Sequence, residues 1–81
     1  MNVTLELFAV AKQLAGADSI ELQLPPGATI GDLRRRLAEQ VPELTGMLDH
    51  LRFAVDADYA NDQTPINDRS RVACIPPVSG G

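Results

Sequence analysis

Residues 20–42 run Ile20-Glu21-Leu22-Gln23-Leu24-Pro25-Pro26-Gly27-Ala28-Thr29-Ile30-Gly31-Asp32-Leu33-Arg34-Arg35-Arg36-Leu37-Ala38-Glu39-Gln40-Val41-Pro42, and the period of the apolar positions changes within them. Ile20, Leu22 and Leu24 alternate with Glu21 and Gln23, which is the period of a half-buried strand. Pro25-Pro26-Gly27 breaks the chain. Ile30, Leu33, Leu37 and Val41 then recur at helical spacing. Thr29 predicts the N-cap of that helix, with the acidic Asp32 at its third position. Pro42 predicts its end, because proline disfavours helical geometry in the residue before it.

Outward from this unit the pattern is of strands. Val3, Leu5 and Leu7 alternate with Asn2, Thr4 and Glu6 over residues 2–9, a strand that predicts antiparallel pairing with residues 20–24 across a wide connection. Phe8 falls on the polar side of that alternation. Ala9 to Ala15 tolerates a helix, which Gly16 can end with a left-handed residue. Downstream, Glu43 to His50 allows a short helical turn. Leu51, Phe53 and Val55 mark a third strand, Asp56-Ala57-Asp58 a turn and Tyr59-Ala60 a brief strand. Residues 65–70 form a second turn region. Arg71 to Ile75 is the last strand, with Val72 and Cys74 on one face and Ala73 and Ile75 on the other. One main helix packed on one face of a mixed sheet is an α+β architecture.

Eighty-one residues make one domain, with a modest core and no interior cleft of enzyme size. A formal charge of −4 argues against a nucleic-acid partner, since phosphate neutralisation needs clustered Lys and Arg. The single cysteine, Cys74, excludes an intramolecular disulfide. No apolar run approaches the roughly 18 residues of a membrane span, and the first residues lack the basic and apolar regions of a signal peptide. The expected location is the cytoplasm.

The chain ends Ile75-Pro76-Pro77-Val78-Ser79-Gly80-Gly81. The prolines donate no backbone hydrogen bond, so they stop the last strand and stiffen its exit. The expected division is a domain over residues 1–77 and a flexible tail over 78–81. Four residues reach at most roughly 13–14 Å, enough to thread a narrow channel in a partner. Gly80 has no Cβ to widen the thread, and Gly81 ends in a carboxylate. A carboxylate is a poor acyl electrophile until activated, most naturally as a mixed anhydride with AMP. The chain has no G-x-x-x-x-G-K-[ST] loop of its own, so a separate activating enzyme is implied. A terminal Gly-Gly alone also suits a frayed end; the rigid prolines before it favour the functional reading.

Three stretches resemble the small subunits of molybdopterin synthase, sulfur carriers of ubiquitin-like β-grasp fold. They are Leu7-Phe8-Ala9, Leu24 to Ile30, and Val72 to Gly81, whose Pro-Pro-Val-Ser-Gly-Gly ending is the most specific. The resemblance covers essentially the whole chain and implies a cycle. An E1-like enzyme adenylates Gly81, and a sulfur donor of cysteine desulfurase or rhodanese type converts it to a thiocarboxylate (1-thioglycine). The tail, Ser79 and Gly80 included, then enters the large synthase subunit, in a heterotetramer of two small and two large subunits. There it delivers sulfur to cyclic pyranopterin monophosphate, building the molybdopterin dithiolene. The carrier would be a non-catalytic subunit with no bound cofactor beyond the transient covalent adducts. Two departures stand out: Asp56 where the family often has Asn, and Asn67-Asp68-Arg69-Ser70-Arg71 where it often has Asp-Gly-Asp-Glu. The alternatives are a carrier for thiazole or cysteine formation, a ubiquitin-like modifier, and a plain interaction module.

Phe8, Tyr59 and Ile75 lie out of phase with the core positions. If the helix covers one sheet face, they face outward on the other and, with Pro76, Pro77 and Val78, form a docking patch beside the tail. Arg34-Arg35-Arg36 reads as a solvated helix face before an acidic-partner contact. Cys74, in phase with Val72, reads as a buried inert thiol. His50 lacks Cys or His companions for a metal. The scattered Asp56, Asp58, Asp62 and Asp68 follow turn chemistry, not a calcium pattern, and no metal site is expected.

Overall fold

A computed structural model describes residues 1–76, and these form five strands and two α-helices. In chain order they are β1 (Asn2–Leu7), α1 (Ala9–Ala15), β2 (Ser19–Gln23), α2 (Ile30–Gln40), β3 (Arg52–Val55), β4 (Asp58–Ala60) and β5 (Val72–Ile75), with a 3₁₀ segment at Pro42–His50 between α2 and β3. The sheet order is β2-β1-β5-β3-β4. The central pair β1 and β5 is parallel, while β1–β2, β3–β5 and β3–β4 are antiparallel. First and last strands thus meet in the middle of the sheet, the β-grasp arrangement that the resemblance implies.

Alternation in the strands decides which face is covered. Val3, Leu5, Leu7, Leu22, Phe53, Val72 and Cys74 are buried, and they meet Ile30, Leu33 and Leu37 from α2. Ala11 of α1 and Leu44 of the 3₁₀ segment belong to the same core, and their two elements touch. None of the buried residues is polar or charged among those described.

The start of α2 is the expected one, with both halves of a capping box. The Asp32 N–H donates to Thr29 Oγ1 (3.4 Å) and the Thr29 N–H donates to Asp32 Oδ2 (2.9 Å). The loop over residues 61–66 is stitched beside this N-terminus: Ile30 N–H donates to the Thr64 carbonyl, Gly31 N–H to the Asp62 carbonyl, and Ile66 N–H to the Ala28 carbonyl. A Cβ on Gly31 would lie 3.2 Å from the Asp62 carbonyl oxygen, tighter than an ordinary contact, so the close approach of loop and helix favours glycine there. Gly16 caps α1 at φ 72°, as expected.

After α2, the short helical turn expected over Glu43 to His50 is present as a 3₁₀ segment over Pro42–His50. Leu44 buries within it, while Met47 and Leu48 pack on the core from outside. Leu44, Met47 and Leu48 are spaced i, i+3 and i+4, so the pattern marked the segment as helical without separating the 3₁₀ from the α form.

Candidate functional site

Among the described residues no helix covers the sheet face opposite α2, and the strand registers fix which side chains occupy it. Ala54 of β3 lies between Tyr59 of β4 and Ala73 of β5, and Ala73 pairs in turn with Glu6 of β1. One row nearer the C-terminal end of β5, Ile75 pairs with Arg52. Phe8 follows β1 in an extended conformation (φ −130°, ψ 155°), in phase with Glu6. Phe8 is 47 % and Tyr59 72 % exposed, and Ile75 is half-buried. The three expected docking residues therefore share the open face; Phe8 and Ile75 lie at the end of β5, while Tyr59 stands on β4, beyond β3.

Pro76 is buried, so it offers little surface to a partner and serves to end the strand. Pro77, Val78, Ser79, Gly80 and Gly81, together with the boundary expected after residue 77, lie outside the described residues.

The open face has two chemically distinct halves, a division that alternation alone did not reveal. On β1 and β2 the polar side chains satisfy one another. Gln23 Nε2 donates to Asn2 Oδ1 (2.8 Å), Asn2 Nδ2 to Glu21 Oε2 (2.7 Å) and Thr4 Oγ1 to Glu21 Oε1 (2.8 Å). On β5, β3 and β4 the face is mainly apolar through Ala73, Ile75, Ala54 and Tyr59, with exposed Arg52 beside Ile75. A shallow depression of about 430 Å³ opens on this second half, lined by Glu6, Ala54, Asp56, Ala57, Arg71 and Ala73. It sits at the start of β5, away from the chain's exit.

Both departures from the family pattern are accommodated locally. Asp56 and Ala57 have φ of 51° and 73° in the two-residue turn joining β3 to β4, the geometry that favours Asn-Gly. The Asp56 carboxylate accepts from the Arg71 N–H (2.9 Å), and the Asp56 N–H donates to the Arg71 carbonyl (2.8 Å). An Asn side-chain oxygen could accept the same bond. At the second site, Asn67 Oδ1 accepts from the Arg69 N–H (2.8 Å) and Ser70 Oγ accepts from the Asn67 N–H (3.0 Å), closing the turn without glycine.

The arginine run divides. Arg35 pairs with Asp32, and Arg36 with Glu39, on the helix surface. Arg34 corrects the expectation of a solvated face, for its side chain is only 20 % exposed. Its Nη1 donates to the carbonyls of Leu48 (2.6 Å) and Leu51 (3.0 Å), its Nη2 donates to Asp62 Oδ1 (3.0 Å), and the guanidinium lies 5.0 Å from the Phe53 ring centroid. Its position one residue after Leu33 and four after Ile30, on the flank of the apolar stripe, is the signal that could have found it.

Cys74 is buried in the core, as expected, and burial pushes its thiol up to about 11. A thiol in that state is not a nucleophile. His50 stands exposed in a polar depression with Arg34, Asp49 and Arg52. No group of three or more His, Cys, Asp or Glu among the described residues is placed to hold a metal ion, and no helix there is long and apolar enough to cross a membrane.

Comparison with known proteins gives a consistent pattern. The ThiS family matches residues 5–81. The molybdopterin synthase sulfur carrier subunit of Dictyostelium discoideum is 40 % identical over 78 residues, covering 93 % of this chain and 91 % of that protein. SAMP1 from Haloferax volcanii is 25 % identical with a TM-score of 0.87, and each chain covers 100 % of the other. A chain in the complex of subunits 1 and 2 of molybdopterin-converting factor from Helicobacter pylori shares the fold, at 22 % identity and a TM-score of 0.70 over 100 % of both chains.

Proposed function

The chain belongs to the ThiS family, and from that membership we propose that it is the sulfur carrier subunit of a molybdopterin synthase, with the Gly81 carboxyl as the group that carries sulfur. The supporting observation is the setting of β5. Its C-terminal end opens beside exposed Phe8 and half-buried Ile75, and Pro-Pro-Val-Ser-Gly-Gly comes directly after it. A rigid body with an apolar face and a side-chain-poor end suits docking at one place and reaction at another.

The chemistry proceeds by acyl substitution. An E1-like enzyme transfers AMP from ATP to a Gly81 carboxylate oxygen, releasing pyrophosphate. The outer sulfur of a persulfide on a desulfurase or rhodanese-type donor attacks the carbonyl carbon, AMP leaves with the C–O bonding pair, and a donor thiol then attacks the inner sulfur of the acyl disulfide, forming the donor's disulfide and releasing the thiocarboxylate. The resulting thiocarboxylate is presented to the large subunit, which holds the reaction centre, and its sulfur passes to cyclic pyranopterin monophosphate. Hydrolysis restores the carboxylate. Two large and two small subunits assemble through the apolar half of the open face, in the cytosol. This chain binds no cofactor of its own and supplies the carrier.

The test is reconstitution with a molybdopterin synthase large subunit. Full-length chain loaded with sulfur forms the dithiolene, whereas deletion of Gly81 abolishes transfer and leaves the urea unfolding midpoint unchanged. Transfer by the deleted chain would refute the reading. A second reading, a protein modifier, has the likeness to SAMP1 in its favour, since a second H. volcanii structure of this fold is described as small archaeal modifier protein 1. It predicts higher-mass conjugates on a blot, which the carrier reading does not.

A further inference from the structure

The chain contains one lysine and six arginines. Its two primary amines among residues 1–76 are both engaged. Lys12 Nζ lies 2.6 Å from Asp18 Oδ1, and the Met1 ammonium donates to the Leu24 carbonyl at 2.5 Å. The remaining cations are guanidiniums, which stay protonated and do not compete as nucleophiles.

This pattern matters for a protein whose end becomes an acyl-adenylate, and the inference therefore rests on the carrier reading above. An activated Gly81 reacts with any amine within reach. Nitrogen attacks the carbonyl carbon, the C–N bond forms as the C–O bond to AMP breaks, AMP leaves with the electron pair, and the amine proton goes to solvent. The product is an isopeptide, either a lactam within one chain or a branch between two copies. Either one consumes the carrier irreversibly, while sulfur attack does not.

We propose that the surface of this chain is built to withhold amine acceptors from its own activated terminus. Lys12 is the only side-chain acceptor, and Asp18 is the positioning residue that occupies it. Lys12 sits on α1, the helix that begins immediately after Phe8, so it stands on the side of the domain where the chain exits. Its side chain is 54 % exposed, and the ion pair, not burial, limits its availability. An exposed pair stabilises by up to about 1 kcal/mol, roughly a fivefold effect on the population of free amine. The larger part of the protection is the use of arginine at the other cationic positions.

The experiment uses the full chain carrying a Gly81 thioester, made by intein cleavage with a small thiol, so that no activating enzyme takes part. Intact mass and peptide mapping track its fate. The unsubstituted chain should revert mainly to the free acid. Asp18→Asn should raise isopeptide formation at residue 12 by up to about fivefold, and Lys12→Arg should remove it. Arg69→Lys or Gln13→Lys, both at exposed positions, should each create a new branch point at the substituted residue. The proposal is overturned if the unsubstituted chain acylates Lys12 as fast as Asp18→Asn does, or if the added lysines produce no branches. Failure of the carrier reading is separate, and shows as absence of thiocarboxylate when the activating enzyme and a sulfur source are supplied.

Discussion

Arg34 forks between the carbonyls of Leu48 and Leu51 on one side and the Asp62 carboxylate on the other, with Phe53 beneath its guanidinium. One side chain thus fastens α2 to the end of the 3₁₀ segment, to the loop beside the helix start, and to β3. Replacing it with Met leaves those carbonyls without their donor and should lower stability by about 1–3 kcal/mol in urea unfolding. Arg34→Lys should recover only part of the loss, since an ammonium cannot reproduce the planar fork. A fully stable Met variant would contradict this role. The β3–β4 turn offers the opposite sign. Ala57 holds φ 73°, which costs a β-carbon-bearing residue roughly 1–2 kcal/mol, against the 0.5–1 kcal/mol that glycine loses in added chain entropy. Ala57→Gly should therefore stabilise by about 0.5–1 kcal/mol. Cys74, with its thiol pushed up to about 11, should resist alkylation at pH 8 in the native protein and react promptly in denaturant. The burial of Cys74 was legible from its phase with Val72. The partial burial of Arg34 could be read from its place beside the apolar stripe, but its partners could not, because they lie 14, 17 and 28 residues away.

Among the elements, α2 was the most legible, because its start, its stop and its buried face are all local signals. Thr29 and Asp32 were placed by sequence in the capping box they form. Thr29→Ala should lower stability by about 1 kcal/mol. The backbone hydrogen bond from Thr29, aided by its hydroxyl and by Arg35, holds the Asp32 carboxyl below the usual aspartate range. A carboxyl lowered in the fold adds stability that is present above its unfolded value, about 3.9, and is lost as pH falls through the folded value. Asp32→Asn should accordingly flatten the acid limb of the stability profile below about pH 4 and leave its neutral limb parallel to that of the parent. The strands were legible in number and in phase, since each alternates. Their order was not, because the parallel pairing of β1 with β5 joins residues some 67 positions apart in sequence (Leu5 with Val72). The segment over Glu43 to His50 was legible as helical from the spacing of Leu44, Met47 and Leu48, but its 3₁₀ form was not.

For the molecule as a whole, meeting of the first and last strands at the centre of the sheet sets up the division of labour. The body holds its C-terminal strand rigidly between two neighbours, so the chain departs from a fixed point at the end of β5. The open face then separates a self-satisfied polar half on β1 and β2 from an apolar half on β5, β3 and β4. A partner gains desolvation only on the second. Phe8→Asp and Ile75→Glu, singly, should weaken binding to a synthase large subunit at least tenfold, as a buried unpaired charge demands, with little change in thermal midpoint because both side chains lie outside the core. Thr4→Val on the polar half should leave binding unchanged. Calorimetric titration distinguishes these, and equal losses from both halves would refute the asymmetry. The central claim, however, concerns Gly81. Intact mass spectrometry of the chain produced with an E1-like adenylating enzyme and a sulfur source tests it most directly. The predicted result is a species in which one oxygen of the Gly81 carboxyl is replaced by sulfur and which is absent after deletion of Gly81. Recovery of the unmodified carboxylate alone under those conditions would contradict it.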